Sequence, residues 1–406
     1  MIRHLFKLVW KRKRTNALII LEIFFSFLVV FVVATLGAFF WNNYRQPLGY
    51  SYENVWRVAV DSGEMEGHGE PDAAALAAMA AKLRVFERLI REVEALEPVE
   101  SAAAAMVSPF DQGGWTSRTG INGKEVDMES NAVTHGFAEA MGLQVVAGRW
   151  FQEADEALAW DPTVIDQDLA RTVYGDEDPV GRPFGEPAPG EKPKRVIGVV
   201  SDFRKSGELS AQTNFMFQLM RLSEPSWFQP RGLMVRIRPG TPAQFEEELT
   251  ALLQGVAPEW SFQIKPLSQV REARMKSVLT PLVAGGIVAF FLLLMVGLGL
   301  IGVLWQNLLQ RTREIGLRRA AGATRSAVHR QVVLEQLILT TLGVLLGTVL
   351  VIQIPLLELI GFVSGATYAA GLLLSAASIY LLSAACALYP STLASRVHPA
   401  EALRYE

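Results

Sequence analysis

Residues 278–305 run for 28 positions without one charged side chain. A bilayer is crossed by roughly 20 apolar helical residues at about 1.5 Å of rise each. The run therefore exceeds the span, and its surplus is expected to tilt or to continue beyond the membrane as helix. Residues 17–41, 332–354 and 369–388 are long and apolar enough to be three further spans. Half of the 406 residues are hydrophobic and the mean hydropathy is positive, which is high for a purely soluble protein. The expected fold class is an α-helical membrane protein with four transmembrane helices. Gly343 and Gly347 form a GxxxG pair in the third span, and Ala376, Ala377, Ala384 and Ala385 give the fourth a small-residue face. Such surfaces let helices approach closely in lipid, within one chain or between subunits.

Charge sets the orientation. Arg3, Lys7, Lys11, Arg12, Lys13 and Arg14 precede the first span, and six arginines face Glu314 alone in the connection 306–331. The positive-inside rule places both termini and that connection in the cytoplasm. Residues 1–16 read as a cytoplasmic amphipathic helix, with Ile2, Leu5, Phe6 and Val9 opposite Arg3, Lys7, Lys11 and Arg14. A cleaved signal peptide is the alternative, but the apolar run is too long and lacks an A-x-A site. Glu22, inside the first span, is expected to be a partnered carboxylate facing the bundle rather than an ion relay.

Residues 42–277 then lie outside, with 35 acidic and 24 basic residues, net −11, against +8 for the remainder. The two ends of this segment share a pattern. Trp56, Val58 and Val60 alternate as in a half-buried strand. A helix is expected between Asp72 and Pro98, with Leu76, Met79, Leu83, Phe86, Ile90 and Val93 on one stripe. Leu233, Val235 and Ile237 alternate again, followed by a helix after Thr241-Pro242 and a strand near Phe262–Ile264. Two β-α-β units flanking a middle segment describe an α+β domain with an insertion. The middle, 110–203, is richer in Gly, Pro and Asp and is expected to be a mostly β subdomain. Cys386 is the single cysteine, so no disulfide can form within the chain.

The sequence contains no GxxxxGK[ST] phosphate loop, no HExxH and no GxSxG. No catalytic residue, metal site or cofactor is expected in this chain, and nucleic acid is not an expected partner. The stretch Glu64–Asp72 gathers His68 with Glu64, Glu66, Glu70 and Asp72, which reads better as a solvated acidic loop than as a cation site. With little charge inside the spans, a carrier mechanism through them has little to work with.

The remaining feature is RTREIGLRRAAGAT, Arg311–Thr324, between the second and third spans. A short helix is expected here, with Glu314 near its start, Arg318 an i,i+4 partner, and Gly322 as its stop. Such a helix, tied to two spans, suits the receipt of force from a partner; the plain alternative is a loop whose arginines only set topology.

The stretch, with the QVVLEQLILTTLGVLLGTVL that follows, resembles the membrane domain of MacB/FtsX-like ABC permeases. Glu314, Ile315, Gly316, Arg319, Ala320, Gly322 and Ala323 match the family's EIG-x-x-[RK]-A-x-GA element. The ending LYPSTLASRVHPAEALRYE is also similar, with Pro390, Ala394, Pro399, Ala402, Leu403 and Arg404 in register. MGLQVVAGRWFQEAD, GDEDPVGRPF and VIGVVSDFR resemble the MacB-type periplasmic core domain. The resemblance implies a porter-like α+β part with an inserted β-rich subdomain. It also implies that Arg313, Glu314, Ile315, Gly316, Arg318, Arg319, Gly322 and Ala323 couple to an ATPase. The N-terminal ATPase domain of MacB has no counterpart here, so ATP and Mg would be bound by a partner ABC ATPase dimer. The other implied partners are a second permease copy or paralogue, a periplasmic adaptor and the lipid of a bacterial inner membrane. Export or efflux from the outer leaflet or periplasm is the expected role. Lipoprotein release, or regulation of an extracytoplasmic enzyme, are the alternatives.

Overall fold

The computed structural model describes residues 13–63, 72–111, 113–121, 123–187, 191–226, 228–357 and 363–396, without the side chains of 13–15, 307, 308, 311–316, 318, 319, 389 and 393–396. The amphipathic helix expected before residue 13, the acidic stretch 64–71 and the tail from 397 onward lie outside the described residues. The chain divides into two units, 43–277 and 1–42 with 278–406.

After α1 (Lys13–Tyr44), the first unit runs β1 (Val55–Asp61), α2 (Ala73–Glu94), β2 (Val99–Ala105), β3 (Trp115–Ile121) and β4 (Lys124–Val133). It continues through α3 (Phe137–Met141), β5 (Val145–Gly148), β6 (Asp161–Asp166), α4 (Gln167–Tyr174), β7 (Lys194–Val200) and β8 (Phe215–Leu219). β9 (Gly232–Ile237), α5 (Phe245–Val256) and β10 (Ser261–Pro266) complete it. All strands join one 10-stranded sheet, ordered β10-β1-β9-β2-β4-β8-β6-β7-β5, with β3 beside β4.

The outer strands form a split β-α-β unit. β9 lies antiparallel between β1 and β2, and β10 closes the edge against β1. Asp72 starts α2 by accepting the Ala75 N–H at 2.7 Å. The stripe Met79, Leu83, Phe86, Leu89 and Val93 is then buried, with Phe86, Leu89 and Val93 packed with Phe245, Leu249 and Leu253 of α5 over Val58, Leu233 and Val235. Each such side chain contributes about 1.5–3 kcal/mol by leaving water.

The insertion is larger than the pattern suggested. It leaves after Ala105 and returns at Gly232, which are paired in the β2–β9 ladder, rather than spanning 110–203. β8 lies beyond residue 203 yet pairs parallel with β4 and antiparallel with β6, so it belongs to the inserted half. Nor is that half a separate sheet: Ala105 and Val133 form the single paired rung of β2 with β4. The sheet is pinched there, and a shared core of Phe137, Phe203, Phe215 and Phe217 with Ala103 and Met234 covers the pinch.

Inside the insertion, Asp166 is fully buried and caps α4, accepting the Leu169 N–H at 2.9 Å and the Phe215 N–H at 3.1 Å. Its second oxygen, Oδ2, has no partner. Burial outweighs these two N–H bonds and, with Asp168 and Asp202 nearby, raises its pKa to about 7. A folded pKa above the unfolded value near 3.9 gives stability that is present below pH ~4 and lost as pH rises through ~7, at up to about 1.4 kcal/mol per pH unit. Asp166→Asn keeps the accepting oxygen and removes the charge. The variant is expected to melt above wild type at pH 8, by roughly 1–2 kcal/mol once its unpaired amide is discounted. At pH 5 that advantage should vanish; melting curves that stay parallel across this range would contradict the assignment.

The second unit consists of helices. α6 (Leu267–Ala320) has 54 residues, about 80 Å at the standard rise, followed by α7 (Arg325–Val351), α8 (Gln353–Leu356) and α9 (Gly365–Arg396). Among the described residues, four helices are long and apolar enough to cross a membrane: Asn16–Tyr44, Leu267–Gln306, Arg325–Leu356 and Gly365–Thr392. α7 ends at Val351 and, after the single turn residue Ile352, α8 carries the candidate span on to Leu356, two residues past the expected Ile354. Pro355 has no N–H for the Val351 carbonyl, which accounts for the break between the two helices. Leu298, Leu373 and Leu381 are each 70% exposed or more, whereas Ile23, Phe27 and Leu300 are buried. This inverted surface suits a lipid surround.

Candidate functional site

The basic stretch is not a separate short helix. Residues 311–320 are the last turns of α6: no proline falls between Trp305 and Ala320, and the roughly 1 kcal/mol that Gly316 costs is set against good helix formers (Leu, Gln, Arg, Glu, Ala) around it, so the arginines mark an end of the apolar run, not of the helix. Arg313, Glu314, Ile315, Gly316, Arg318 and Arg319 thus lie on helical backbone, and their side chains fall outside the described residues. Gly322 and Ala323 lie in the turn beyond. Gly322 takes φ +98°, a left-handed conformation open to glycine, and Thr324 begins α7 by accepting the Ala327 N–H at 3.2 Å. Two long helices are joined by four residues, Ala321–Thr324.

Above this turn, α7 rests closely on α1. A Cβ at Gly343 would stand 2.7 Å from Ile23 Cγ2, and one at Gly347 would stand 2.3 Å from the Phe27 ring. The GxxxG pair therefore serves packing within the chain. α7 and α9 are pinned by Thr340 to Ser383 and Thr341 to Tyr380, each pair 2.9 Å apart. Glu22 packs against α6, where a Cβ at Gly299 would meet its Oε1 at 2.8 Å. Among the described residues no ion pair is formed by Glu22, contrary to the expected partnered carboxylate.

A knot of charge that sequence reasoning missed lies in the sheet unit, at the loop after β7. Arg204 is 2% exposed. Its guanidinium donates to the carbonyls of Asn43 at 2.6 Å and Gln46 at 3.3 Å, at the end of α1, and to those of Glu208 and Ser210 in its own loop. A cation on the last carbonyls of a helix also meets its dipole favourably. The Glu208 carboxylate pairs with Arg271 in the first turns of α6, and Arg271 lies 4.6 Å from the centre of the Tyr52 ring. Tyr50 donates to the Arg204 carbonyl at 3.3 Å. Burial raises the Tyr50 hydroxyl pKa and lowers that of Arg204, with Glu208 opposing the latter shift. Gly49 holds φ +82° where a Cβ would stand 1.9 Å from the Asp202 carbonyl oxygen. One arginine thus ties the end of α1 to the 204–210 loop, which Glu208 ties to the start of α6. Carbonyl acceptors have no residue signature; the cue was a charged run, RKSGE, three residues after an apolar strand.

Two family models match the chain. Residues 17–252 match the family model of the MacB-like periplasmic core domain, and 286–399 match that of the FtsX-like permease C-terminal domain. The macrolide export ATP-binding/permease protein MacB of Bordetella avium is 28% identical over 287 residues, 66% of this chain and 42% of that protein. The ABC transporter permease YknZ of Bacillus subtilis is 24% identical over 70% of this chain and 71% of its own length. The chain thus spans less than half the length of that MacB. Among solved structures, the periplasmic region of MacB from Actinobacillus actinomycetemcomitans aligns at 17% identity and TM-score 0.36, over 54% of this chain and 92% of that one. With both family domains present in order on a four-helix membrane unit and an α/β sheet unit, the chain belongs to the MacB/FtsX-like ABC transporter permeases.

Proposed function

We propose that this chain is the permease subunit of an ATP-driven export complex that transmits motion rather than conducting substrate through its helices. Its ATPase is a separate ABC subunit pair carrying ATP and Mg. Two permease copies, or a copy and a paralogue, complete the membrane part, with both termini in the cytoplasm and the sheet domain outside a bacterial inner membrane. A periplasmic adaptor is a further partner, and the substrate is taken from the outer leaflet or periplasm.

The observation that carries this reading is the turn Ala321–Thr324. It ends a helix begun at Leu267 that continues through Pro281, where one backbone hydrogen bond is missing, so a displacement of the basic turns at 311–320 is applied to one continuous helix rather than lost in a loop. The names of the MacB relatives, which refer to macrolide export, support efflux as the class of work.

The test is Glu314→Lys. The exchange keeps a helix-forming residue, and any Glu314–Arg318 pair lost is worth only a few tenths of a kcal/mol. It does set a cation beside Arg311, Arg313, Arg318 and Arg319 on the docking element. Expression and melting should stay near wild type while ATP-dependent export falls about tenfold or more and the ATPase no longer co-purifies, as loss of about 1.4 kcal/mol at an interface would give. Full export with the ATPase retained would refute coupling through Glu314. ATP hydrolysis by the purified chain alone would refute the separate ATPase.

A further inference from the structure

A cavity of about 730 Å³ opens at the pinch of the sheet unit, where the chain leaves β2 and returns to β9. This is within the 300–1,000 Å³ typical of small-molecule sites. Its walls include Arg57 of β1, Met106 and Asp111 of the outgoing connection, Trp115 of β3, and Phe228 and Arg231 of the returning one. Trp115 is 56% exposed, which is unusual for so large an apolar ring, and it meets Phe228 edge to face at 6.2 Å.

The charges in the wall decide what fits. Arg57 is spent on Asp111 at 2.9 Å, and Glu191 is held by Lys194 at 3.3 Å. Among the described residues, Arg231 alone of these charged groups has no side-chain partner. Its backbone is fixed at both ends, the N–H on the Ala105 carbonyl and the carbonyl on the Val60 N–H, so the side chain is presented from a rigid strand edge. A guanidinium offers a planar fork for a carboxylate, sulfate or phosphate, and an aromatic pair beside it takes an apolar body.

We propose that this cavity binds an amphipathic organic anion, its anionic group on Arg231 and its apolar part against Trp115 and Phe228. The proposal rests on the export reading only for the use made of the ligand; the binding itself needs neither ATPase nor transport. Free metabolites and anionic lipids share the required chemistry.

The full chain is reconstituted in nanodiscs of zwitterionic lipid, and 2-naphthoate binding is measured by equilibrium dialysis, with 2-naphthylmethylammonium as the cationic control. Saturable binding of one naphthoate per chain is expected, with the cation bound at least tenfold more weakly. Arg231→Glu should weaken naphthoate about tenfold or more, Arg231→Lys less, and Trp115→Ala several-fold, with melting temperatures unchanged because both side chains are exposed. Equal binding of anion and cation, or naphthoate affinity untouched by Arg231→Glu, would overturn the site. Repeating the measurement with phosphatidylglycerol in the disc separates the sources: competition identifies a lipid anion, and unchanged binding a free one. Binding that persists while Glu314→Lys fails to uncouple would leave the site standing and the export reading refuted.

Discussion

Arg204→Ala is expected to lower the melting temperature of the sheet unit by roughly 10 °C, since two buried hydrogen bonds from a charged donor are worth about 3–5 kcal/mol together and a unit of this size loses about 2–4 °C per kcal/mol. Four carbonyls lose the guanidinium at once, those of Asn43, Gln46, Glu208 and Ser210, and Asn43 keeps only the Gln46 N–H at 3.1 Å. Those of Asn43 and Glu208 meet the guanidinium in buried surroundings, where water replaces it poorly. Arg204→Lys should recover only part of the loss, since one ammonium cannot span carbonyls on two sides of a planar fork. Thermal unfolding of the full chain in nanodiscs, followed by near-UV circular dichroism, provides the measurement. A shift under about 2 °C would mean the knot is solvated rather than structural.

The second large effect belongs to the GxxxG pair. In lipid the helices gain nothing by hiding apolar surface from one another, so close packing is what holds them. Gly343→Val with Gly347→Leu puts side chains where Cβ atoms alone already stand 2.7 Å from Ile23 and 2.3 Å from Phe27. Ile20's backbone oxygen, 3.1 Å from the first of these positions, cannot rotate away as a side chain can. Overpacking of this kind costs about 1–3 kcal/mol per site. Restoring ordinary contact at 3.5–4.0 Å requires α1 and α7 to separate by about 1–2 Å. Spin labels at Leu21 and Leu346, both exposed, would report the change in a Cys386→Ala background. An unchanged distance distribution together with unchanged thermal stability would show that α1 does not depend on this contact.

The four spans were legible because bilayer thickness fixes their length and no alternative absorbs 28 uncharged residues in a row. The two β-α-β arms were legible from period-2 and period-3.6 alternation, which is local. The limit of the insertion was not, because β8 declares itself only through partners about 50 and 85 residues earlier, β6 and β4. Arginine lowers hydropathy without opposing a helix, so the charge at 311–319 disguised the continuity of α6. The glycine pair was visible, but not its partner helix. Arg204 ends the family-like stretch VIGVVSDFR, yet its role depends on carbonyls of residues 43 and 46, about 160 positions away.

Because Ala105 and Gly232 are opposite one another in the ladder, residues 106–231 occupy the place of a hairpin turn between β2 and β9. Loop-closure entropy grows only slowly with length, and here the ends are already held by neighbouring strands. Length changes inside that excursion therefore leave the register of β10-β1-β9-β2 untouched. What descent cannot vary freely is the ring of Phe137, Phe203, Phe215 and Phe217, which seals the seam against Ala103 and Met234. Relatives should thus differ most in the size and surface of this excursion and least in its aromatic underside, so that one scaffold can exchange what it presents while keeping how it is held.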